Sequence, residues 1–200
     1  MKLNTIRIED SHCVWNDLFS EEELNQIIDY CESMPKTDAI IETDNRGNSE
    51  VNEDIRYSKI SWIERNQEND WFFHRIQSAC NKLNSKFFGF DIEVLQSLQY
   101  TIYDCANSHY SWHWDCFTGN ALDNLNDEKQ RKLTAVLQLD VPEDYEGGVL
   151  ELLPCGTIRE IERKKGLMVS FPSFTLHRVS PVESGIRRSL VAWFTGPDWR

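Results

Sequence analysis

Residues 166–197 read "GLMVSFPSFTLHRVSPVESGIRRSLVAWFTGP", and the fold turns on what this stretch can form. Its apolar runs, "GLMVSFP" and "RRSLVAWFT", are short, partly alternating and rich in β-branched and aromatic residues, which is the texture of strands. Pro172 and Pro181 punctuate the bend between them, where His177 sits. Working outward, "IEVLQSLQYTIYD" (92–104), "LTAVLQLDV" (133–141), "GGVLELL" (147–153) and "TIREIER" (157–163) repeat that texture with Gly, Pro, Asn and Asp between them. Gly147 and Gly148 mark a turn into the strand that follows.

The first half reads differently. In "FSEEELNQIIDYCESMP" (19–35), Ser20 and Glu23 form an S-x-x-E capping box, Leu24, Ile27, Ile28 and Cys31 recur at helical spacing, and Pro35 closes the run. A second helix is expected in "NDWFFHRIQSACNKLNSKF" (69–87), with Phe72, Ile76, Ala79, Cys80 and Leu83 on one face after an Asn69 or Asp70 cap. Between them, residues 36–54 are acidic and turn-rich, the composition of a mobile surface loop. Helices followed by many strands, without βαβ alternation, predict an antiparallel barrel or jelly roll buttressed by helices on one side. One domain over 1–200 is expected, with a helical and loop buttress over 1–90 and a catalytic β core over 91–200.

Apolar residues at 40% and charged residues at 27% are ordinary globular usage, and no apolar run approaches the roughly 18 residues of a membrane span. The opening "MKLNTIRIEDSHCVW" lacks the apolar core and cleavage site of a signal peptide, so a cytoplasmic location is expected. Cys13, Cys31, Cys80, Cys105, Cys116 and Cys155 fall without CxxC pairs and read as thiols, most of them small buried hydrophobes. A net charge of −12 repels a phosphate backbone and an anionic lipid surface, which disfavours nucleic acid and membrane as partners.

The chemistry concentrates in "HYSWHWDCF" (109–117). In extended chain, residues two apart point the same way, so His113 and Asp115 can meet one ion. His177, in a turn 62 residues after Asp115, completes two histidines and one carboxylate, the ligand set that leaves open positions on a ferrous ion. Arg187 and Ser189 follow on one face of the next strand. A fixed guanidinium with a nearby hydroxyl suits the far end of a dicarboxylate whose other end binds metal. Alternation then leaves Arg188 outward and solvated.

With "LQYTIYDCANSHYSWHWD", "RKLTAVLQLDVPEDYEGGVLELL" and "KKGLMVSFPSFTLHRVSPVESGIRRSLVAWFTGP" in that order, roughly residues 90–197 resemble the iron(II)- and 2-oxoglutarate-dependent dioxygenases of the prolyl 4-hydroxylase-like group, including its small bacterial and phage members. The resemblance implies a double-stranded β-helix, with His113, Asp115 and His177 on Fe(2+). It implies Arg187 and Ser189 on the distal carboxylate of 2-oxoglutarate. Tyr103 is the candidate for the tyrosine that bonds the same carboxylate, one inserted residue restoring it where the family's spacing falls on Asp104. O2 is the co-substrate, ascorbate the expected reductant, and an intact Asp115 favours hydroxylation over halogenation. A protein or peptide substrate is implied, peptidyl proline first, with another side chain, a free amino acid or a small metabolite behind it.

Other readings of the same residues remain open. Cys105, His109, His113 and Cys116 offer a structural zinc set, though their spacing matches no standard knuckle. A non-catalytic jelly roll that only binds is the rival from outside enzymology. Trp112 and Trp114 are expected to pack in an aromatic core or wall a pocket, and Trp193 and Phe194 to be structural. His12, His74 and His109 read as ordinary surface or core. Arg56 and Trp62 line a cleft or simply pack. The acidic stretch, with Asp44, Glu50, Glu53 and Asp54, would select a basic substrate by charge.

Overall fold

The computed structural model describes residues 6–42, 49–116 and 130–199. At its centre lies the strand Arg187–Gly196, which pairs antiparallel with Gln130–Gln138 on one side and with Leu98–Tyr103 on the other. The large sheet runs Ile6–Ile8, Cys13–Trp15, Met168–Pro172, Gln130–Gln138, Arg187–Gly196, Leu98–Tyr103, Lys59–Ile63, Thr37–Asp38. A smaller sheet runs Arg159–Glu160, Leu150–Leu152, His177–Val179, His109–His113, Arg56–Tyr57. From residue 98 onward the chain passes repeatedly from one sheet to the other, and this is the jelly roll, or double-stranded β-helix, that the strand texture predicts.

Two-residue periodicity divides the large sheet into two faces. Leu190, Ala192 and Phe194 join Leu98, Tyr100, Ile102, Leu133, Ala135 and Leu137 in a core against the helices. The intervening positions look into the barrel, where Val136, Tyr103, Val169 and Phe171 meet Leu150, Leu152 and Val179 of the small sheet. Both faces are covered, so Leu98–Tyr103 is buried at every position, which is why "LQYTIY" lacks a clean polar alternation. Each fully buried Leu, Val or Phe contributes about 1.5–3 kcal/mol.

Helix α1, Glu21–Glu32, carries the expected capping box: Glu23 N donates to Ser20 Oγ at 3.2 Å and Ser20 N to Glu23 Oε2 at 2.8 Å. It buries Leu24, Ile27, Ile28 and Cys31. Helix α2, Asp70–Leu83, buries Phe72, Ile76, Ala79, Cys80 and Leu83 as expected, and Phe73 besides. Asn69 occupies the cap position of α2 but makes no cap hydrogen bond. Its side-chain oxygen instead accepts from Asn66 N at 2.7 Å, while its amide nitrogen donates to Glu64 O at 2.7 Å and to the Tyr30 hydroxyl at 3.1 Å, tying the turn to α1.

Residues 1–90 give more than the expected helices and loops, because Cys13–Trp15 and Lys59–Ile63 pair into the large sheet and Arg56–Tyr57 into the small one. Strands of two to five residues, each backed by a neighbour already in place, leave too short a periodic run to be read. Within the acidic stretch 36–54, Thr37–Asp38, Ile41–Glu42 and Ser49–Glu50 are strands, whereas Asp44 lies outside the described residues. Among the described residues no helix is long and apolar enough to cross a membrane.

Gly147 and Gly148 do turn the chain, at φ of +70° and +58°, and their lack of side chains has a second use. A Cβ on Gly148 would stand 2.9 Å from Cδ of Arg187 and 3.0 Å from Cγ2 of Val182. Gly148→Ala is therefore expected to cost about 1–3 kcal/mol of unfolding free energy in urea titration, from left-handed backbone strain alone. It should also displace the Arg187 side chain, seen as weaker binding of any anion held there.

Candidate metal centre

His113 ends its strand, Asp115 follows in the bend beyond it, and His177 opens the neighbouring strand of the small sheet, directly paired with His113. Cross-strand pairing thus places the two imidazoles side by side, with ring centroids 4.1 Å apart. Asp115 closes the triangle: its Oδ1 is 3.7 Å from His113 Nε2 and its Oδ2 is 3.5 Å from His177 Nε2. One donor atom from each of the three lies within 4.8 Å of the others. Each ring uses its other nitrogen on a backbone carbonyl two residues back, His113 Nδ1 on Ser111 O and His177 Nδ1 on Thr175 O, both at 2.8 Å. Donation from Nδ1–H to those carbonyls leaves the Nε2 lone pairs turned toward one another, the tautomer a metal needs.

Electrostatics agree with that role. Burial drives the pKa of His113 down to about 3, with His177 adding to the effect, so the ring is neutral at physiological pH. Burial pushes the Asp115 carboxyl up, but His177, His113 and Arg131 outweigh it and hold the group below the ordinary carboxylate value. Two imidazole nitrogens and one carboxylate oxygen fit an octahedral divalent ion with positions to spare.

Arg187 lies deeper in the same barrel. It is 2% exposed, and its Nε and Nη2 make no hydrogen bond. Only Nη1 has a bond there, donating to Ser189 Oγ at 3.4 Å. Tyr103, its direct partner across the ladder, places its ring 5.2 Å beneath the guanidinium. Leaving such a charge buried without a counterion costs about 3–5 kcal/mol, a cost that an anion in this pocket would offset. Tyr103 and Tyr145 flank it; burial raises both hydroxyls, and Arg187 offsets only part of the rise.

Several expectations are corrected. Arg188 points away from the barrel but is not simply solvated, because its Nε and Nη2 donate to Asp140 Oδ1 at 2.9 and 2.6 Å. Neither Trp112 nor Trp114 joins the core: Trp114 is 54% exposed, and Trp112 lies 4.8 Å beneath the Arg178 guanidinium. The zinc set does not assemble, since His109 turns its ring to the carbonyls of Asn107 and Asp54 and the thiol of Cys105 donates to Asp104. Among the described residues the metal-capable group is His113, Asp115 and His177.

Sequence reasoning missed Tyr110 and Thr134 as supports of this site and left Arg56 between cleft and packing. Tyr110 stacks on His113 with centroids 3.5 Å apart, and the buried Arg56 lies 4.4 Å above Tyr110 while donating to Gln99 Oε1 at 2.7 Å. Thr134 donates to Asp115 Oδ2 at 2.8 Å. Parity with Val136 in the strand could have turned Thr134 inward; nothing in the sequence could have joined it to Asp115.

Residues 98–195 match the family model described as the 2OG-Fe(II) oxygenase superfamily. A PKHD-type hydroxylase of Methylobacillus flagellatus is 44% identical over 61 residues, which is 30% of this chain and 27% of that relative's length. Among solved structures, a Pseudomonas putida prolyl-4-hydroxylase has a TM-score of 0.72 at 23% identity, with 93% of each chain covered. A prolyl hydroxylase of Trichoplax adhaerens, solved with a hypoxia inducible factor oxygen degradation domain peptide fragment, has a TM-score of 0.70 at 19% identity. That match covers 93% of this chain and 84% of the other. At these identities the structural likeness is one of fold.

A pH effect follows from His113. Its folded pKa is depressed, so the stability it contributes is complete above pH 6.5 and is lost as pH falls from 6.5 toward about 3. Metal-free protein should therefore lose Tm between pH 6.5 and about 4.5, above the range where carboxylates titrate. In His113→Gln that part of the slope should flatten; an equal slope in both proteins would contradict the assignment.

Proposed function

We propose that the chain, whose residues 98–195 match the 2OG-Fe(II) oxygenase superfamily, is an iron(II)- and 2-oxoglutarate-dependent hydroxylase of the prolyl 4-hydroxylase type. The observation that carries this reading is the pairing of a two-histidine, one-carboxylate cluster with a buried, largely unbonded guanidinium in one barrel. A metal cluster alone would serve many proteins. A second site for an anion's far end asks for a dicarboxylate.

His113, Asp115 and His177 would hold the iron through Nε2, a carboxylate oxygen and Nε2. Arg187 would take the distal carboxylate of 2-oxoglutarate on its Nε and Nη2, with Ser189 and the Tyr103 hydroxyl beside it. Iron(II) with 2-oxoglutarate and O2 supplies the oxidising power to hydroxylate an unactivated C–H, 2-oxoglutarate leaving as succinate and carbon dioxide. The chain's own part is to fix geometry and keep the site dry. Val136, Phe171 and Val179 wall the barrel, and the backbone carbonyls of Ser111 and Thr175 hold both imidazoles in register. Arg187 sets which end of the cosubstrate points at the metal.

The substrate class we favour is a protein or peptide containing proline. The fold shared with the Pseudomonas putida prolyl-4-hydroxylase and the peptide bound to the Trichoplax prolyl hydroxylase support it. Ascorbate would keep the iron reduced between turnovers, and a cytoplasmic setting suits the free thiols of the described cysteines.

The test is succinate release from 2-oxoglutarate by purified protein with iron(II), ascorbate and proline-containing peptides. Turnover should vanish in Asp115→Ala. Arg187→Ala should raise the KM for 2-oxoglutarate at least about tenfold, as expected for the loss of a charge-assisted pair, while the iron requirement barely moves. Equal loss of both requirements would mean that Arg187 does not hold the cosubstrate. Turnover with a free amino acid but no peptide would keep the chemistry and discard the substrate class.

A further inference from the structure

Asp115 is held by a chain of hydroxyls whose direction the chemistry fixes. Thr134 Oγ1 lies 2.8 Å from Asp115 Oδ2 and 3.0 Å from Ser173 Oγ. Thr134 and Ser173 are both wholly buried. A carboxylate can only accept, so Thr134 must donate to Asp115; having one proton, it must then accept from Ser173. The order is Ser173 to Thr134 to Asp115, and each donor is polarised by the next.

The backbone converges on the same point. Asp115 N and Cys116 N donate to Ser173 O at 3.0 and 3.2 Å, and Ser173 N donates to Lys132 O at 3.0 Å. Ser173 thus anchors the bend bearing Asp115 to the strand bearing Thr134. Of the three candidate ligands, Asp115 alone lies outside a strand. The two histidines inherit their positions from the sheet; the carboxylate has this junction instead.

We infer that Thr134, polarised by Ser173, is a positioning residue that confines Asp115 to one-oxygen ligation of the metal. It engages Oδ2, which leaves Oδ1, on the His113 side, as the oxygen free to ligate. Held this way, the carboxylate cannot rotate to close over a second coordination position, and that position stays available to substrates. The inference rests on the metal reading above and adds to it a residue and a direction.

Co(II) added to metal-free protein is the probe, followed by calorimetric titration and by the visible absorption of the bound ion, with thermal melting as the control for folding. Thr134→Val keeps shape and burial while deleting the donor. It should weaken Co(II) binding by about 10- to 100-fold, the usual effect of losing a hydrogen bond to a ligand, and alter the absorption band as the carboxylate swings to two-oxygen ligation. Thr134→Ser should restore both, and Ser173→Ala should shift both in the same direction by less. Unchanged affinity and spectrum in Thr134→Val, while Asp115→Ala loses the metal, overturns this inference alone. Unchanged Co(II) binding in Asp115→Ala overturns the metal reading beneath it. Should Thr134→Val fail to fold, Ser173→Ala decides: affinity equal to the parent's overturns the inference.

Discussion

The central strand, Arg187–Gly196, has partners on both edges and covered faces on both sides, and the rest of the molecule is arranged around its two-residue period. Leu190, Ala192 and Phe194 must meet an apolar surface, so the helices lie against that face. Arg187, Ser189, Val191 and Trp193 must then enter the barrel. A slip of one residue would send the guanidinium into the helix core and Leu190 into the pocket, so burial of the apolar set also enforces the position of the charged one.

That coupling explains how the fold tolerates Arg187. A largely unbonded, buried guanidinium is unstable taken alone, and three features around it have the same cause. Gly148 is a glycine at positive φ where a Cβ would press on the arginine. The ring of Tyr103 supports it from the neighbouring strand. Asp140, the carboxylate on the adjoining stretch, is taken up by Arg188 on the other face of the sheet, so it cannot quench the charge from within. The nearby acid is paired with a different arginine, and the charge of Arg187 is left uncompensated.

The candidate metal cluster poses the opposite problem, since it gathers one negative group and two bases. Burial keeps His113 neutral, and the neighbours of Asp115 hold its carboxyl below the ordinary value against its own burial. The two histidines owe their proximity to strand pairing and the carboxylate owes its orientation to side-chain hydroxyls. Those are different kinds of restraint, and the second is the softer.

Sequence alone determined the class of fold, because strand texture, punctuation and a capped amphipathic helix are local properties that neighbouring residues set. It also named His113, Asp115, His177, Arg187 and Ser189 as one constellation, since their residue types and order are rare together. What it could not hold was any partner chosen across the fold. Asn69 reached Tyr30, Arg188 found Asp140 instead of water, Tyr110 stacked on His113, and Thr134 reached Asp115. Each choice depends on which side chain lies within about 3 Å once the sheets have closed, a distance that sequence separation does not encode. The short strands of the first ninety residues were invisible for the same reason, being made by the edges they join and not by their own few residues.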